Sequence, residues 1–572
     1  MPLPPAGHEK SQKKGQEKGQ EKGQEKGQEK GRGQGKGQGG GRKSGGAMAV
    51  AAGIFLSRIL GLVRERVFAH YLGSSDAAGA FRAALKIPNL LQNLFGEGAL
   101  SASFIPAYSR LLAEGRPEDA ARVAGGIFSI LLLFVGLIAA AGVLGAGAIV
   151  GTLVPGFSGD VKSLTIVLVR IMFPGVAFLV LSAWCLGILN SHRRFFLSYV
   201  APVIWNAAII VALIAFGVNA VLDQAGQYAL AEKVAWGVAV GSILQFLVQV
   251  PAVFRLNRGI IVARVKPGTE DFRTVRKVLI NAGPAILTRG VVQVSAFIDQ
   301  ILSSFLGASM VAVMAYAQTV YLLPVSLFGM AISAAELPEL SGTAAGARTG
   351  GTGESGVGAE QALGAIRDRL QKALDRLSFF IVPSTVGMIG VGDAISNTLF
   401  VTGKFTAQDT QVLWPVMAVM ALGLFATTRA RLFTSAFWAL GDTKTPAMIA
   451  LTRVTVSTVI GLIVVFGVRD YFGLTLTQAA AALSVAAVGG AWVEIILVWR
   501  LLSRRIGKLN MMTSRDIKIW ALAISAVAVA RAAALVPVSS VFLSGAFTLA
   551  AFGLVYLAGA RLAGFAEVRR FK

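Results

Sequence analysis

Residues 57–106, SRILGLVRERVFAHYLGSSDAAGAFRAALKIPNLLQNLFGEGALSASFIP, set Arg58, Arg64, Glu65, Arg82 and Lys86 within two apolar stretches. At about 100° per residue, Ser57, Gly61, Arg64 and Glu65 gather on the side of Arg58. Leu56, Ile59, Leu60, Val63 and Val67 lie on the other side. In the second stretch Arg82, Lys86, Asn89 and Asn93 recur at i, i+4, i+7 and i+11, one polar stripe on a helix that Pro88 should kink. An ionised side chain facing lipid at the centre of a membrane helix costs roughly 2.5–3.5 kcal/mol. These cations are therefore expected to face a wet cavity, with Arg66 and Lys86 the best placed to snorkel to an interface instead. Glu65 offsets only one cation, so the cavity is net positive and suits an anion. A phosphate group fits the guanidinium fork best.

A third polar set lies further on, in the segment around residues 279–306. Arg289, Gln293 and Gln300 share a helix face, Asp299 lies about 80° from Arg289, and GPAIL at 283–287 offers a flexure point. The next segment carries Tyr316, Gln318, Thr319 and Pro324. Arg170, Asp393, Glu494 and Arg531 also sit in or near apolar segments, where helix-end placement or local pairing accounts for them equally well.

The elements that position these groups follow from composition. Hydrophobic residues make up 54% and charged residues 15% of the 572, and the mean hydropathy is +0.65. Such values define an all-α polytopic membrane protein. The single Cys185 excludes a disulfide framework, and three histidines argue against zinc chemistry. The net charge of +24 sits largely in a tail and in loops, so it reads as membrane orientation and not as nucleic-acid binding.

Residues 1–47, with GQEK repeated from Gly15 to Lys30, are expected to be a disordered basic tail. About 14 transmembrane helices follow, at about 20 residues per span. Helices 1–6 occupy 48–254, a loop 255–278, helices 7–12 residues 279–503, helices 13 and 14 residues 515–562, and a tail 563–572. A Gly-rich linker at 341–362 divides the chain roughly in half. A faint repeat supports the division: ILNSHRRFFLSYVAPVIWN resembles WALGDTKTPAMIALTRV about 250 residues later. Alternate loops are rich in Lys and Arg, which puts both termini in the cytoplasm.

SRILGLVRE, LKIPNLLQNLFGEGALSASFIP, GPAIL, GKFTAQDT at 403–410 and ALGDTKTP at 439–446 resemble, in order and spacing, the MurJ (MviN) lipid II flippase family. The resemblance runs from about residue 48 to 510. It implies the multidrug/oligosaccharidyl-lipid/polysaccharide exporter fold: two pseudo-symmetric six-helix lobes around a cavity, plus two C-terminal helices bordering a lipid-tail groove. Arg58 and Arg64 match the family's first-helix arginines, and Glu65 its acid. Four positions depart: Gly79 stands for an acid, Gln92 for an arginine, and Gln318 and Thr319 for an Asp-Arg pair. Arg82 and Arg289 are expected to restore the lost charge.

The function so implied is flipping of lipid II, the undecaprenyl-pyrophosphate-linked peptidoglycan precursor with its sugar-peptide head, across the bacterial cytoplasmic (inner) membrane. The expected substrate-binding residues are Arg58, Arg64, Glu65, Arg82, Lys86, Asn89, Asn93, Arg289, Gln293 and Asp299. No cofactor is expected. The chain has no G-x-x-x-x-G-K-[S/T] loop for ATP, so membrane potential or an ion gradient is the expected driver. Rival readings are a flippase for another polyprenyl-pyrophosphate-linked oligosaccharide, a cation-coupled drug exporter, and a transport-inactive scaffold that recruits cell-wall synthesis proteins. The exporter needs an acid-dominated site, which the basic first two helices disfavour.

Overall fold

The computed structural model describes residues 40–220, 223–256, 268–349, 357–538 and 540–569, some of them, Arg289 included, by backbone alone. The GQEK repeats lie outside the described residues. Helix α1 spans Gly40–Leu72, so it begins inside the stretch expected to be a tail. There follow α2 (Asp76–Leu91), α3 (Pro117–Leu144), α4 (Gly159–Ser191), α5 (Phe195–Gly217), α6 (Gln224–Leu256), α7 (Glu270–Ser304) and α8 (Ala308–Pro324). The later helices are α9 (Val357–Gly390), α10 (Ala407–Ala439), α11 (Lys444–Phe472), α12 (Leu476–Ile506), α13 (Ser514–Ala533) and α14 (Val541–Leu562).

The all-α membrane class holds. Among the described residues ten helices are long and apolar enough to cross a membrane, against the fourteen expected; α1, α2, α7 and α13 are outside that set. The outer faces of α3 and α14 carry Leu133, Leu144 and Leu554, each more than 60% exposed, as suits contact with lipid.

In one bundle α4 and α5 pack on α6, α1 on α5, and α2 and α3 on α4. In the other α12 packs on α10 and α11, α10 on α8, and α13 on α9 and α14. Helix α7, expected within the second bundle, crosses between the two. It packs on α3 and the extension of α2 in one, and on α8 and α11 in the other. Its first turn is held by Arg116, which bonds Glu270 at 2.9 Å, and Arg122, which bonds Asp271 at 2.6 Å. Hydrogen bonds from Arg116 hold the Glu270 carboxyl below the usual range.

Helix α2 does not end at Leu91. It runs on as a π-helix over Gln92–Phe104 and then as an α-helix over Ile105–Ala113. The expected linker at 341–362 is also shorter. Helix α8 continues through Val325–Met330 to Thr349, and α9 starts at Val357. The cause is packing: Leu340 and Ala344 are buried together with Ile366 and Leu370, and Glu336 pairs with Arg369 and Arg376. Residues 350–356 lie outside the described ones.

The two repeat-like segments are matching corners. After α4, Arg193 has φ 59° and Arg194 N donates to Leu189 O at 2.8 Å; after α10, Gly441 has φ 82° and Asp442 N donates to Phe437 O at 2.9 Å. Both are left-handed helix ends of Schellman type. At the second, the Thr445 hydroxyl and backbone N–H and the Arg505 guanidinium hold the Asp442 carboxyl at about 2. The ALGDTKTP motif is thus a staple at a helix corner.

The bundles meet tightly at one end. Asp76 accepts from Ser309 N at 3.1 Å, Ser74 donates to Asp409, and Lys404 N donates to His70 O at 2.8 Å. Asp409 also forms the capping box of α10 with Thr406, so GKFTAQDT builds this closure. Gly79 lies against the first turn of α8, where a Cβ would come 1.9 Å from Ala308 O. Its place in the chain, where the family carries an acid, is therefore a close helix contact. Gly79→Ala should part α2 from α8 and cost about 1–3 kcal/mol. Disulfide trapping between Ser74→Cys and Asp409→Cys in a Cys185→Ser background should fall sharply; unchanged trapping would show that α8 yields without opening the end.

Candidate functional site

The face of α1 that the wheel assigns to lipid is on the surface: Leu56, Ile59 and Val63 are exposed. Its other face lines a cavity of about 510 Å3 between the bundles. Ser57, Arg58, Gly61, Arg64 and Glu65 enter it from α1, and Gln92 from the start of the π-helix. Tyr199, Trp205 and Asn206 of α5, Gln245 of α6 and Thr319 of α8 complete the polar lining.

Glu65 is buried, with a side chain 3% exposed, and holds two guanidiniums. Arg64 Nη2 donates to its Oε1 at 2.5 Å. Arg82 reaches it bidentately, Nη1 to Oε1 at 3.0 Å and Nη2 to Oε2. The Arg82 guanidinium lies 4.4 Å from the Phe68 ring and 4.9 Å from Tyr316, whose hydroxyl donates to Gly73 O at 2.8 Å. Arg82 is thus packed against two rings, and through Tyr316 it is tied to the closed end. Arg64 has only one bond to Glu65 and lies 5.2 Å from Trp205, on the cavity side. Arg58 is exposed to the cavity and, among the described residues, has no ion pair. Three guanidiniums against one carboxylate leave the site positive.

The other expected residues are distributed differently. Arg82 does not line the cavity, so it does not stand in for the charge missing at Gln92: its fork is taken up by Glu65. Lys86 turns away from Arg82, donating to Ala296 O of α7 at 2.5 Å, with Asp299 within electrostatic reach. Asn89 is exposed and Asn93 half-buried, and neither lines the cavity. The change to π-helix at Gln92 shifts the helical phase, which brings Gln92 in where a uniform α-helix would favour Asn93. Gln293 is half-buried on α7, and Gln300, buried, donates to Ala83 O of α2 at 3.4 Å. The side chain of Arg289 lies outside the described ones.

Thr319 bonds its own helix, donating to Ala315 O at 3.0 Å, so it replaces an arginine with no free donor. Among the described residues, Arg58 and Arg64 are the only cations that line the cavity. Trp205 Nε1 and Asn206 Oδ1 are buried without hydrogen-bond partners among the described residues. Sequence reasoning missed both. Their signal was available in APVIWN, an aromatic and an amide side by side in an apolar run.

Two bundles joined at one end around an intervening polar cavity define the transporter class to which drug and lipid-oligosaccharide exporters belong. A solved structure described as "Lipid II flippase MurJ, inward closed conformation" superposes with TM-score 0.70 at 23% identity, covering 90% of this chain and 98% of that one. An inward-facing multidrug transporter of the same superfamily superposes with TM-score 0.60 at 16% identity, over 79% and 94%. The sequence profile described as "Lipid II flippase MurJ" matches residues 68–556. A probable lipid II flippase MurJ of Rhizobium meliloti is 30% identical over 453 residues, 78% of each chain. The lipid II flippase MurJ of Burkholderia cenocepacia is 28% identical over 465 residues, 80% of this chain and 84% of that one. The chain belongs to the MurJ lipid II flippase family.

Proposed function

We propose that this chain flips lipid II from the cytoplasmic to the periplasmic leaflet, with the pyrophosphate held by Arg58 and Arg64. The observation that carries this reading is the pair of cavity-facing guanidiniums on α1 beside a carboxylate already satisfied by Arg82. Arg64 can exchange its single bond to Glu65 for a phosphate oxygen, because Glu65 keeps its bidentate partner. That exchange frees the Arg64 fork and leaves Glu65 neutralised, so the anion enters without unpairing a buried charge. The polyprenyl tail stays in lipid while the polar head crosses.

In this reading the closed end is periplasmic and both termini are cytoplasmic, as the Lys and Arg content of alternate loops requires. Membrane potential or an ion gradient drives the return. Gln92 and Thr319, where the family carries cations, favour as a second reading a flippase for a different polyprenyl-pyrophosphate-linked oligosaccharide. Complementation separates the two. Expression in a bacterial strain depleted of its own lipid II flippase should restore growth; lysis despite normal membrane abundance would favour the second substrate.

A further inference from the structure

A second group of charges lies on the other side of α8, outside the cavity of Arg58 and Arg64. Arg453 of α11 donates from Nη1 to Glu494 Oε2 of α12 at 2.9 Å, with side chains 35% and 15% exposed. Arg431 of α10 is within electrostatic reach of both and of Tyr321 of α8. Tyr321 donates to Thr427 Oγ1 of α10 at 3.0 Å. Among the described residues the Arg431 guanidinium makes no hydrogen bond and no ion pair, whereas Arg429, two residues before it, bonds Asp516, Ser378 and the Met511 carbonyl. Two guanidiniums thus share one carboxylate, and one of them is unmatched.

Position makes this arrangement informative. Arg431 lies eight residues before the end of α10 at Ala439, or about 12 Å at 1.5 Å per residue. Arg58 lies fourteen residues before Leu72 at the closed end of α1, or about 21 Å. Tyr321 lies thirteen residues, or about 20 Å, from Ala308 at the closed end of α8 and bonds Thr427, one turn before Arg431, so the two arginines lie within about one helical turn of each other in depth, on opposite bundles. An unmatched cation at that depth persists only where it faces water or an anion. Helix α8 joins the two places: Thr319, Leu322 and Leu323 line the first cavity, and Tyr321 turns to the second group.

Resting on the flippase reading above, we propose that Arg431 and Arg453 form a second anion subsite, which takes a carboxylate of the peptide carried by the substrate's headgroup. The pyrophosphate is held on the first bundle and the peptide carboxylate on the second, so one substrate molecule bridges both. Arg431 supplies a free fork and Arg453 the remaining donors not used by Glu494. The subsite distinguishes a headgroup that carries peptide from a bare polyprenyl pyrophosphate.

The test uses the purified full chain in lipid nanodiscs and two probes, lipid II and undecaprenyl pyrophosphate. Wild-type protein should bind lipid II more tightly. Arg431→Gln should weaken lipid II binding about ten-fold, the loss of one charge-assisted hydrogen bond, and leave undecaprenyl pyrophosphate binding unchanged. Arg431→Lys should regain part of the loss, and both variants should melt with the wild type. Lipid II with its peptide carboxylates amidated should bind wild-type protein as weakly as lipid II binds Arg431→Gln. Equal weakening of both probes would assign Arg431 to the pyrophosphate, and no weakening of either would remove it from the site; each overturns the subsite. Wild-type protein that binds neither probe would overturn the flippase reading, and the subsite with it.

Discussion

Arg58→Ala and Arg64→Ala will each reach the membrane at wild-type abundance and lose flipping. A charge-assisted hydrogen bond contributes about 1.5–3 kcal/mol, so each loss should weaken pyrophosphate binding roughly 10–100-fold. Folding is spared for two different reasons. Arg58 has no ion pair among the described residues, so nothing is orphaned by its removal. Removing Arg64 leaves Glu65 paired bidentately with Arg82. Lysine at either position should restore function only in part, because an ammonium lacks the planar fork. The readout is periplasmic exposure of lipid II, normalised to membrane abundance. Wild-type exposure in both alanine variants would remove the cavity from the transport path.

Glu65→Gln should have the opposite signature, a failure of stability. Its carboxylate is the sole counter-charge that the described residues offer to Arg82, whose side chain is 11% exposed. Breaking a buried pair by removing one partner costs about 3–5 kcal/mol, because the other charge stays buried and uncompensated. Arg82 packs against Phe68 and Tyr316 and is held bidentately by Glu65, so its guanidinium has little access to water. The closed end should loosen with it, since Tyr316 also bonds Gly73. Thermal unfolding of purified protein should show a markedly lower Tm, and adding Arg82→Gln should recover much of the loss by removing the stranded cation. A Tm for Glu65→Gln equal to wild type would mean that water reaches Arg82.

The second half of α1 was legible because one period governs it. Leu56, Ile59 and Val63 face outward, and Arg58 and Arg64 face the cavity, as 100° per residue requires. The polar stripe on α2 was legible only to the point where the period changes. Gln92, the first residue of the π-helix, reaches the cavity while Asn89 before it and Asn93 after it do not, and the apolar pattern carries no mark of that widening. Arg82 and Lys86 share a face by spacing, yet they part because Glu65 attracts one and a carbonyl of α7 the other. Such choices depend on partners far along the chain. The same holds for the closed end, where Ser74 meets Asp409 and Asp76 meets Ser309. Local pattern could mark GKFTAQDT as a motif but not supply its contact. The buried pair of Arg429 and Asp516, which ties α10 to α13, was missed because its partners stand 87 residues apart in the chain.

The central claim is that the substrate's head passes through the cavity beside α1, and a photocrosslinker at Gly61 tests it most directly. Gly61 lies between Arg58 and Arg64 on the cavity wall and has open space where a side chain would project. A benzophenone amino acid there, in cells that depend on this chain for growth, should capture radiolabelled lipid II on illumination. The same group at Leu133, 67% exposed on the outer face of α3, should capture far less, and Arg58→Ala combined with Arg64→Ala should abolish capture at position 61. Capture at position 133 but none at 61, in cells that still flip lipid II, would contradict the account.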